Sequence, residues 1–174
     1  MSRGVRSVVA IVYGSSTLNT EFVSTKLLHE LGEGSARMLN VKDVTPEDLL
    51  GYSGFIFVTS TWGRGDLQDD WELFLPRVKA IDFTGKRVAL VGLGDQKNYP
   101  DQFCDSIGHL YDTLHDLGVT VVGETSVEGY EFKRSYAVRK NRFVGLVLDE
   151  DNQSDLTDDR IRGWVRSIRK EFVQ

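Results

Sequence analysis

The chain has 174 residues, 40% of them hydrophobic and 27% charged, with only 3 prolines, a composition that suits one compact domain with a full core rather than two. Its 26 acidic residues against 21 basic ones give a formal charge of -5, so no global positive field exists to hold nucleic acid or an anionic membrane. The single cysteine, Cys104, excludes an internal disulfide and any multi-cysteine zinc or iron–sulfur site, and it suits a reducing compartment. Residues 1–7 carry Arg3 and Arg6, but the apolar run behind them is too short for an export segment, so the expectation is a cytoplasmic protein. No run approaches the roughly 20 apolar residues that cross a bilayer.

In chain order, the apolar run at 7–13 predicts a first strand, and the same kind of run returns at 54–59, 87–92 and 143–148. Continuous Val- and Ile-rich runs bounded by Gly or polar residues suit strands covered on both faces, hence a parallel sheet. A helical period over 20–31 places Phe22, Val23, Leu27, Leu28 and Leu31 on its apolar positions, and a weaker strand follows at 36–41. Thr45 as cap and Pro46 in the first helical position predict a helix over 45–52. Further helices are expected over 70–79 and over 103–117, the latter stopped by Gly118. A weak strand at 120–123 and an amphipathic helix over 157–172 complete the pattern. Strict alternation of β and α predicts a three-layer α/β/α sandwich with right-handed crossovers, in which ligands sit beyond the carboxyl ends of the strands. Segment 123–142 lacks apolar periodicity and reads as an insertion that interrupts the last strand.

Three loops follow strands and carry chemistry. Gly14-Ser-Ser-Thr-Leu-Asn-Thr20 opens into a helix, where hydroxyls, backbone N–H groups and the positive end of the helix dipole make a phosphate cradle. It has no lysine and matches neither G-x-x-x-x-G-K-[ST] nor G-x-G-x-x-G; a plain Ser/Thr helix cap is the alternative at this point. In the loop 59–71, Trp62 stands between a strand end and the glycines Gly63 and Gly65, where an indole can lie beside a flat heterocycle and the backbone can approach it. Trp71 and Trp164 fall on helical faces and are assigned to the core. The loop Gly92-Leu-Gly-Asp-Gln-Lys-Asn-Tyr-Pro100 offers a second ring, Tyr99, and two aromatics from separate strand-end loops suit a planar group held between them.

Together these loops resemble the flavodoxins, small electron carriers that bind flavin mononucleotide (FMN). The resemblance also takes in Thr61-Trp62, Leu67-Gln-Asp-Asp-Trp71, Gly92-Leu-Gly-Asp-Gln96, Glu128-Gly-Tyr-Glu-Phe132, Phe143-Val-Gly-Leu and Leu148-Asp-Glu-Asp-Asn-Gln153. Segment 123–142 resembles the insertion of the long-chain class. The resemblance implies a flavodoxin-like α/β fold, a five-stranded parallel sheet of order 2-1-3-4-5 with its last strand interrupted, and one FMN-binding domain over 1–174. It implies that Ser15, Ser16, Thr17, Leu18, Asn19 and Thr20 hold the phosphate by donors alone, without a metal, and that Trp62 and Tyr99 flank the isoalloxazine. Thr61 and Asp95 would contact the ring edges and Asp151 the ribityl chain. Backbone groups of Gly63, Arg64 and Gly65 and of Leu93, Gly94 and Asp95 would do much of the polar work. No catalytic residue is implied.

The function implied is a low-potential one-electron carrier working through the semiquinone/hydroquinone couple. The Gly63–Arg64 peptide would turn its carbonyl toward flavin N5, and the ring on Tyr99 together with nearby carboxylates would disfavour the anionic hydroquinone. The implied partners are a flavodoxin/ferredoxin NADP reductase-type donor and low-potential acceptor proteins. An acidic rim of Asp66, Asp69, Asp70, Asp95, Asp101, Asp105, Asp149, Glu150 and Asp151 would steer a monomer into transient complexes. The rival on this fold is an FMN-dependent NAD(P)H:quinone reductase. A phosphate-switched signalling domain fails, because Tyr13-Gly14 and Thr59-Ser60 stand where it needs acids; an adaptor that has lost FMN is supported by Leu18 alone.

The chain departs from the family pattern at Leu18 and Asn98, where glycine is usual, and Leu18 threatens to narrow the turn or force an unfavourable φ. Arg64 and Lys97 bring positive charge to the flavin loops. Residues 124–142 hold five bases and three acids, a local +2 against -7 over the rest. His29, His109 and His115 fall on helices without metal-ligand spacing, and Cys104 would be reactive only if exposed.

Overall fold

Three apolar segments, Val9–Tyr13, Gly54–Trp62 and Arg87–Leu93, largely buried along their length, form the centre of the molecule. The computed structural model describes residues 8–14, 18–62 and 64–172. Its elements are β1 (Val9–Tyr13), α1 (Leu18–Leu31), β2 (Ala36–Asn40), β3 (Gly54–Trp62), β4 (Asp66–Leu67), α2 (Asp69–Phe74), β5 (Arg87–Leu93), α3 (Asp105–Asp116), β6 (Thr120–Val122), β7 (Thr125–Ser126), β8 (Val138–Arg139), β9 (Arg142–Phe143), β10 (Leu146–Leu148) and α4 (Thr157–Ile168). The parallel sheet runs β2-β1-β3-β5, with β6 and β10 both on the outer side of β5. β6 pairs with Arg87–Ala89 and β10 with Val91–Leu93, so they are two halves of one edge strand. That is the expected 2-1-3-4-5 order with its last strand interrupted.

Alternation along each strand separates two cores. Ala10, Val12, Phe55, Phe57, Val88 and Leu90 face α2 and α3, meeting Trp71, Phe74, Ile107, Leu110 and Leu114. Val9, Ile11, Ile56, Val58, Ala89 and Val91 face α1 and α4, meeting Val23, Leu27, Ile161, Trp164 and Ile168. Trp71 and Trp164 are core, as expected.

The strand expected at 143–148 divides, Arg142–Phe143 joining the insertion's own sheet and only Leu146–Leu148 the parallel sheet. The helix expected over 157–172 is α-helical only to Ile168, and three further elements differ from expectation. The helix over 45–52 is a single 3-10 turn, Glu47–Leu49. Thr45 and Asp48 do cap one another, Thr45 N donating to Asp48 Oδ2 at 2.8 Å and Asp48 N to Thr45 Oγ1 at 3.4 Å. Leu49 is buried and Tyr52 packs beside it half-buried, while Leu50 is exposed and Gly51 lowers the helical propensity between them, so little rewards a second turn. The helix over 70–79 tightens after Phe74 into a 3-10 segment, Leu75–Ala80, where Pro76 has no N–H to give an α-helical bond. The strand expected at 54–59 continues to Trp62 and folds back on β4, pairing Thr61 with Leu67 and Trp62 with Asp66.

The insertion leaves the sheet at Gly123, which has φ +88°, and builds its own antiparallel sheet, β7-β9-β8. Lys140 and Asn141, both left-handed at φ 51° and 61°, make the two-residue turn between β8 and β9. The chain re-enters at Gly145, where a Cβ would lie 2.1 Å from the Leu90 carbonyl oxygen.

Candidate functional site

The carboxyl ends of β1, β3, β5 and β10 converge on a cleft of about 300 Å³ lined by Asn19, Ser60, Thr61, Trp62, Leu93, Gly94, Asp95, Tyr99, Glu150 and Asp151. Eight of these were expected from the sequence as cofactor contacts; Glu150 was expected only in the acidic rim, and Ser60 was not expected. A wider cleft of about 660 Å³ opens between the 79–87 and 117–120 turns. That one lies at the amino ends of the strands, opposite to where a doubly wound sheet binds ligands, so the smaller cleft is the candidate.

Two aromatic rings flank it. Trp62 is 41% exposed and Tyr99 is 49% exposed, a large apolar surface left to solvent at one cleft. Trp62 is carried by the β3–β4 hairpin, and its Nε1 donates to Ser60 Oγ at 2.8 Å. Ser60 is two residues back on the same side of the strand, a period-2 relation that sequence reasoning misses when Trp62 is assigned to a loop. The hairpin is closed by Gly65 N donating to the Trp62 carbonyl at 3.1 Å. Gly65 has φ +98°, and a Cβ there would lie 2.6 Å from Asp105 Oδ2, so it packs on α3 rather than lining the cleft.

The ring of Tyr99 is set by its loop. Asp95 accepts from Lys97 N (3.1 Å), Asn98 N (3.0 Å) and Asn98 Nδ2 (2.7 Å), and its carbonyl accepts the Tyr99 N–H at 2.9 Å. Burial pushes the Asp95 carboxyl up, but the bonds from Asn98, Asn152 and Lys97 outweigh it and leave it below its usual value. Asn98 is therefore held by hydrogen bonds, with no positive φ. Gly94 must lack a side chain, since a Cβ would meet Cys104 Sγ at 2.7 Å.

At the third wall, α1 begins at Leu18, whose side chain is 79% exposed; as a helical residue it has no strained φ, and it does not line the cleft. Thr20 is buried and its hydroxyl donates to the Gly14 carbonyl at 2.8 Å, tying the first turn of α1 to the end of β1. Gly14 itself packs too closely for a Cβ, which would lie 2.2 Å from Gln68 Oε1. Ser15, Ser16, Thr17 and Gly63 fall outside the described residues. Arg64 is exposed and away from the lining, and Lys97 lines a neighbouring cleft.

The acidic rim needs one correction. Asp149 is fully buried and accepts from Gln96 and Asn152, so it is internal scaffolding. Asp151 is exposed, and its carboxyl is raised by partial burial and by the charges of Asp95 and Asp149. The cleft is thus locally negative. Cys104 is buried, and burial first, then Asp149 and Asp105, push its thiol well up, so it is not a reactive thiolate. Two of the insertion's bases are paired, Arg139 with Asp112 and Arg142 with Glu124, each at 2.9 Å. His109 and His115 stack on Tyr136 and Tyr111. Among the described residues no group of three or more His, Cys, Asp or Glu can hold a metal ion, and no helix is long and apolar enough to cross a membrane.

Two exposed rings, the Gly94 backbone and Asn19 at the N-terminus of α1, brought to one cleft beyond the strand ends, fit a flat heterocycle with an anionic tail. The comparisons agree. The flavodoxin family model matches residues 11–164. A flavodoxin from Nostoc is 43% identical over 164 residues, covering 94% of this chain and 96% of the relative. One from Helicobacter pylori is 41% identical over 165 residues, covering 95% and 98%. Among solved structures, Fusobacterium nucleatum flavodoxin bound to flavin mononucleotide superposes with a TM-score of 0.90 at 36% identity, covering 95% of this chain and 99% of that one.

Proposed function

The chain belongs to the flavodoxin family, and from that membership we propose that it binds FMN non-covalently between Trp62 and Tyr99 and serves as a low-potential electron-transfer protein rather than an enzyme. FMN, when bound, supplies the redox chemistry by taking up and releasing electrons one at a time. The protein supplies binding, orientation and field. Trp62, fixed by Ser60, and Tyr99, fixed by the Asp95 turn, hold the ring faces. Backbone groups of Leu93, Gly94 and Asp95, which line the cleft, meet the ring edges, and the Gly63–Arg64 peptide is assigned there by family membership alone. The turn Ser15, Ser16 and Thr17 with the N-terminus of α1 from Leu18 to Thr20 takes the phosphate through neutral donors and the helix dipole. Thr61 acts through its backbone, because its hydroxyl is engaged with Ser106. Asp95, Glu150 and Asp151 line the cleft and oppose any added negative charge, which keeps the potential low. The quinone reductase reading of this fold is not favoured, since relatives matched along nearly the whole chain carry the flavodoxin name.

The finer reading is a single FMN-binding domain over 1–174, monomeric and cytoplasmic. It exchanges electrons with a flavodoxin/ferredoxin NADP reductase-type donor and low-potential acceptor proteins. Asp66, Asp69, Asp70, Asp101, Asp105, Glu150 and Asp151 supply the acidic rim that steers a basic partner into short-lived, salt-sensitive complexes. The observation that carries the proposal is the pair of half-exposed rings facing one cleft. Reconstitution with FMN, removal of excess, and stepwise anaerobic reduction test it. Retained flavin with a distinct half-reduced spectrum supports the one-electron carrier. Direct two-electron bleaching by NADPH favours the reductase, and no retained flavin refutes the site.

A further inference from the structure

The Asp149 carboxylate, at the end of β10, is a pure acceptor buried to 0% exposure. It takes Gln96 N at 3.1 Å, Gln96 Nε2 at 2.7 Å, Asn152 N at 3.0 Å and Asn152 Nδ2 at 2.9 Å. Gln96 is itself only 4% exposed, and its remaining amide atom, Oε1, accepts the Glu131 N–H at 2.6 Å. One side chain therefore binds the strand-end carboxylate and the backbone of the insertion at once. At the other side of Tyr99, the Pro100 carbonyl accepts Lys133 N at 2.8 Å and Arg134 N at 2.9 Å. The loop that carries Tyr99 is gripped by the insertion on both flanks.

We propose that Gln96 is a positioning residue for the cofactor site: by joining Asp149 to Glu131 it fixes the 95–99 loop, and it makes the pose of Tyr99 depend on the insertion. This rests on the reading of Tyr99 as a flavin-flanking ring. The insertion is firm enough to act as a support. Tyr130 Oη donates to the Val147 carbonyl at 2.6 Å, Gln153 Nε2 donates to the Gly129 carbonyl at 2.9 Å, and the Arg160 guanidinium lies 4.1 Å from the centre of the Tyr130 ring. A buried network in which every member is satisfied rigidifies what it touches, and removing one amide leaves a carboxylate and a backbone N–H short of partners together.

The test uses the full chain as wild type, Gln96→Met and Tyr99→Ala. Met keeps the length and shape of Gln and removes both the donor and the acceptor. Amide exchange of the FMN-free protein is followed at 97–99 and at Glu131, FMN affinity by quenching of flavin fluorescence, and ring geometry by visible circular dichroism of the bound flavin. Gln96→Met is expected to speed exchange in both segments about tenfold and to weaken FMN about tenfold, the size of a lost charge-assisted hydrogen bond, while β5 keeps wild-type protection. Faster exchange at Glu131 alone, with 97–99 and FMN affinity within about twofold of wild type, overturns the proposal. If Gln96→Met does not fold, Gln96→Glu keeps the acceptor for Glu131 but sets a second carboxylate against Asp149. It should loosen 97–99 and spare Glu131, and unchanged exchange in 97–99 overturns the proposal. Tyr99→Ala separates the two ideas: if it leaves affinity and dichroism unchanged, the stacking reading fails, while the exchange data still decide the link.

Discussion

Thr61 Oγ1 donates to Ser106 Oγ at 2.8 Å and accepts the Ser106 N–H at 3.1 Å, so the end of β3 caps the first turn of α3 from outside the helix. Cys104, the residue before α3, offers no side-chain cap of its own, and Ser106 is fully buried. Thr61→Val keeps the shape and strands that buried N–H. It is expected to destabilise the FMN-free protein by about 1–3 kcal/mol in urea unfolding, whereas Thr61→Ser retains most of the stability. Because Thr61 precedes Trp62 on the same strand, the valine variant should also bind FMN more weakly.

The Trp62 ring and the hydrogen bond that aims it can be separated. Removing an aromatic face from a stacked base costs about 1–3 kcal/mol, so Trp62→Ala should weaken FMN by one to two orders of magnitude. Ser60→Ala deletes only the partner of Trp62 Nε1, worth about 0.5–1.5 kcal/mol, and should weaken FMN less. Fluorescence-quenching titrations rank the two. Equal losses would mean that Ser60 does more than aim the indole.

Leu18 is a departure from the family pattern that the fold absorbs. It opens α1 with its side chain in solvent, so no left-handed backbone is required of it. Leu18→Gly should therefore leave FMN affinity within about threefold of wild type. It should lower stability by up to about 1 kcal/mol, the helix-propensity difference. A large gain in affinity would show that the leucine obstructs the phosphate after all.

What was legible in the sequence follows from range. The Val-rich runs declare buried strands locally, and Gly118 and Gly123 mark the ends of elements by their own backbone needs. The aromatic pair was legible because each ring stands at or just beyond the carboxyl end of a strand, Trp62 closing β3 and Tyr99 following β5. Asp149 was not, because its burial depends on Gln96, 53 residues away, and in sequence it stands among exposed acids. The extension of β3 to Trp62 was hidden for a related reason: its partner β4 has only two residues, too few to show a period. The helix over 45–52 stopped after one turn where a valid cap was followed by an exposed Leu50 and by Gly51.

Two carboxyls in the cleft titrate in opposite senses. Asp95 lies below its usual 3.8, so its contribution to stability is present above the unfolded value and lost as pH falls through the folded one. Asp151 lies above 3.8, so the folded state holds its proton longer and its effect on stability becomes unfavourable as pH rises through that window. Asp95→Asn should then be less stable than wild type near neutral pH, with the penalty fading on acidification. Asp151→Asn should be more stable near neutral pH, with the gain fading likewise. Urea midpoints of the FMN-free protein over roughly pH 3 to 7 decide it. A penalty for Asp95→Asn that persists in acid would assign it to lost turn geometry rather than charge.

Arg64 is exposed in the β3–β4 turn, two residues beyond Trp62, and makes no salt bridge among the described residues, so no carboxylate partner neutralises its charge. Every carboxylate lining the cleft opposes reduction, while a nearby cation favours the more negative, fully reduced cofactor. Arg64→Glu changes the local charge by two and Arg64→Gln by one without comparable change in bulk. The potential of the second electron should fall by tens of millivolts in the glutamate variant and by about half as much in the glutamine variant, on a scale of about 59 mV per tenfold change in equilibrium. Both shifts should shrink as ionic strength rises past about 0.1 M, where the screening length is near 10 Å. Anaerobic potentiometric titration at two salt concentrations separates charge from shape. Equal shifts for the two variants, or shifts indifferent to salt, would mean that Arg64 acts by its contacts in the turn and not through its field.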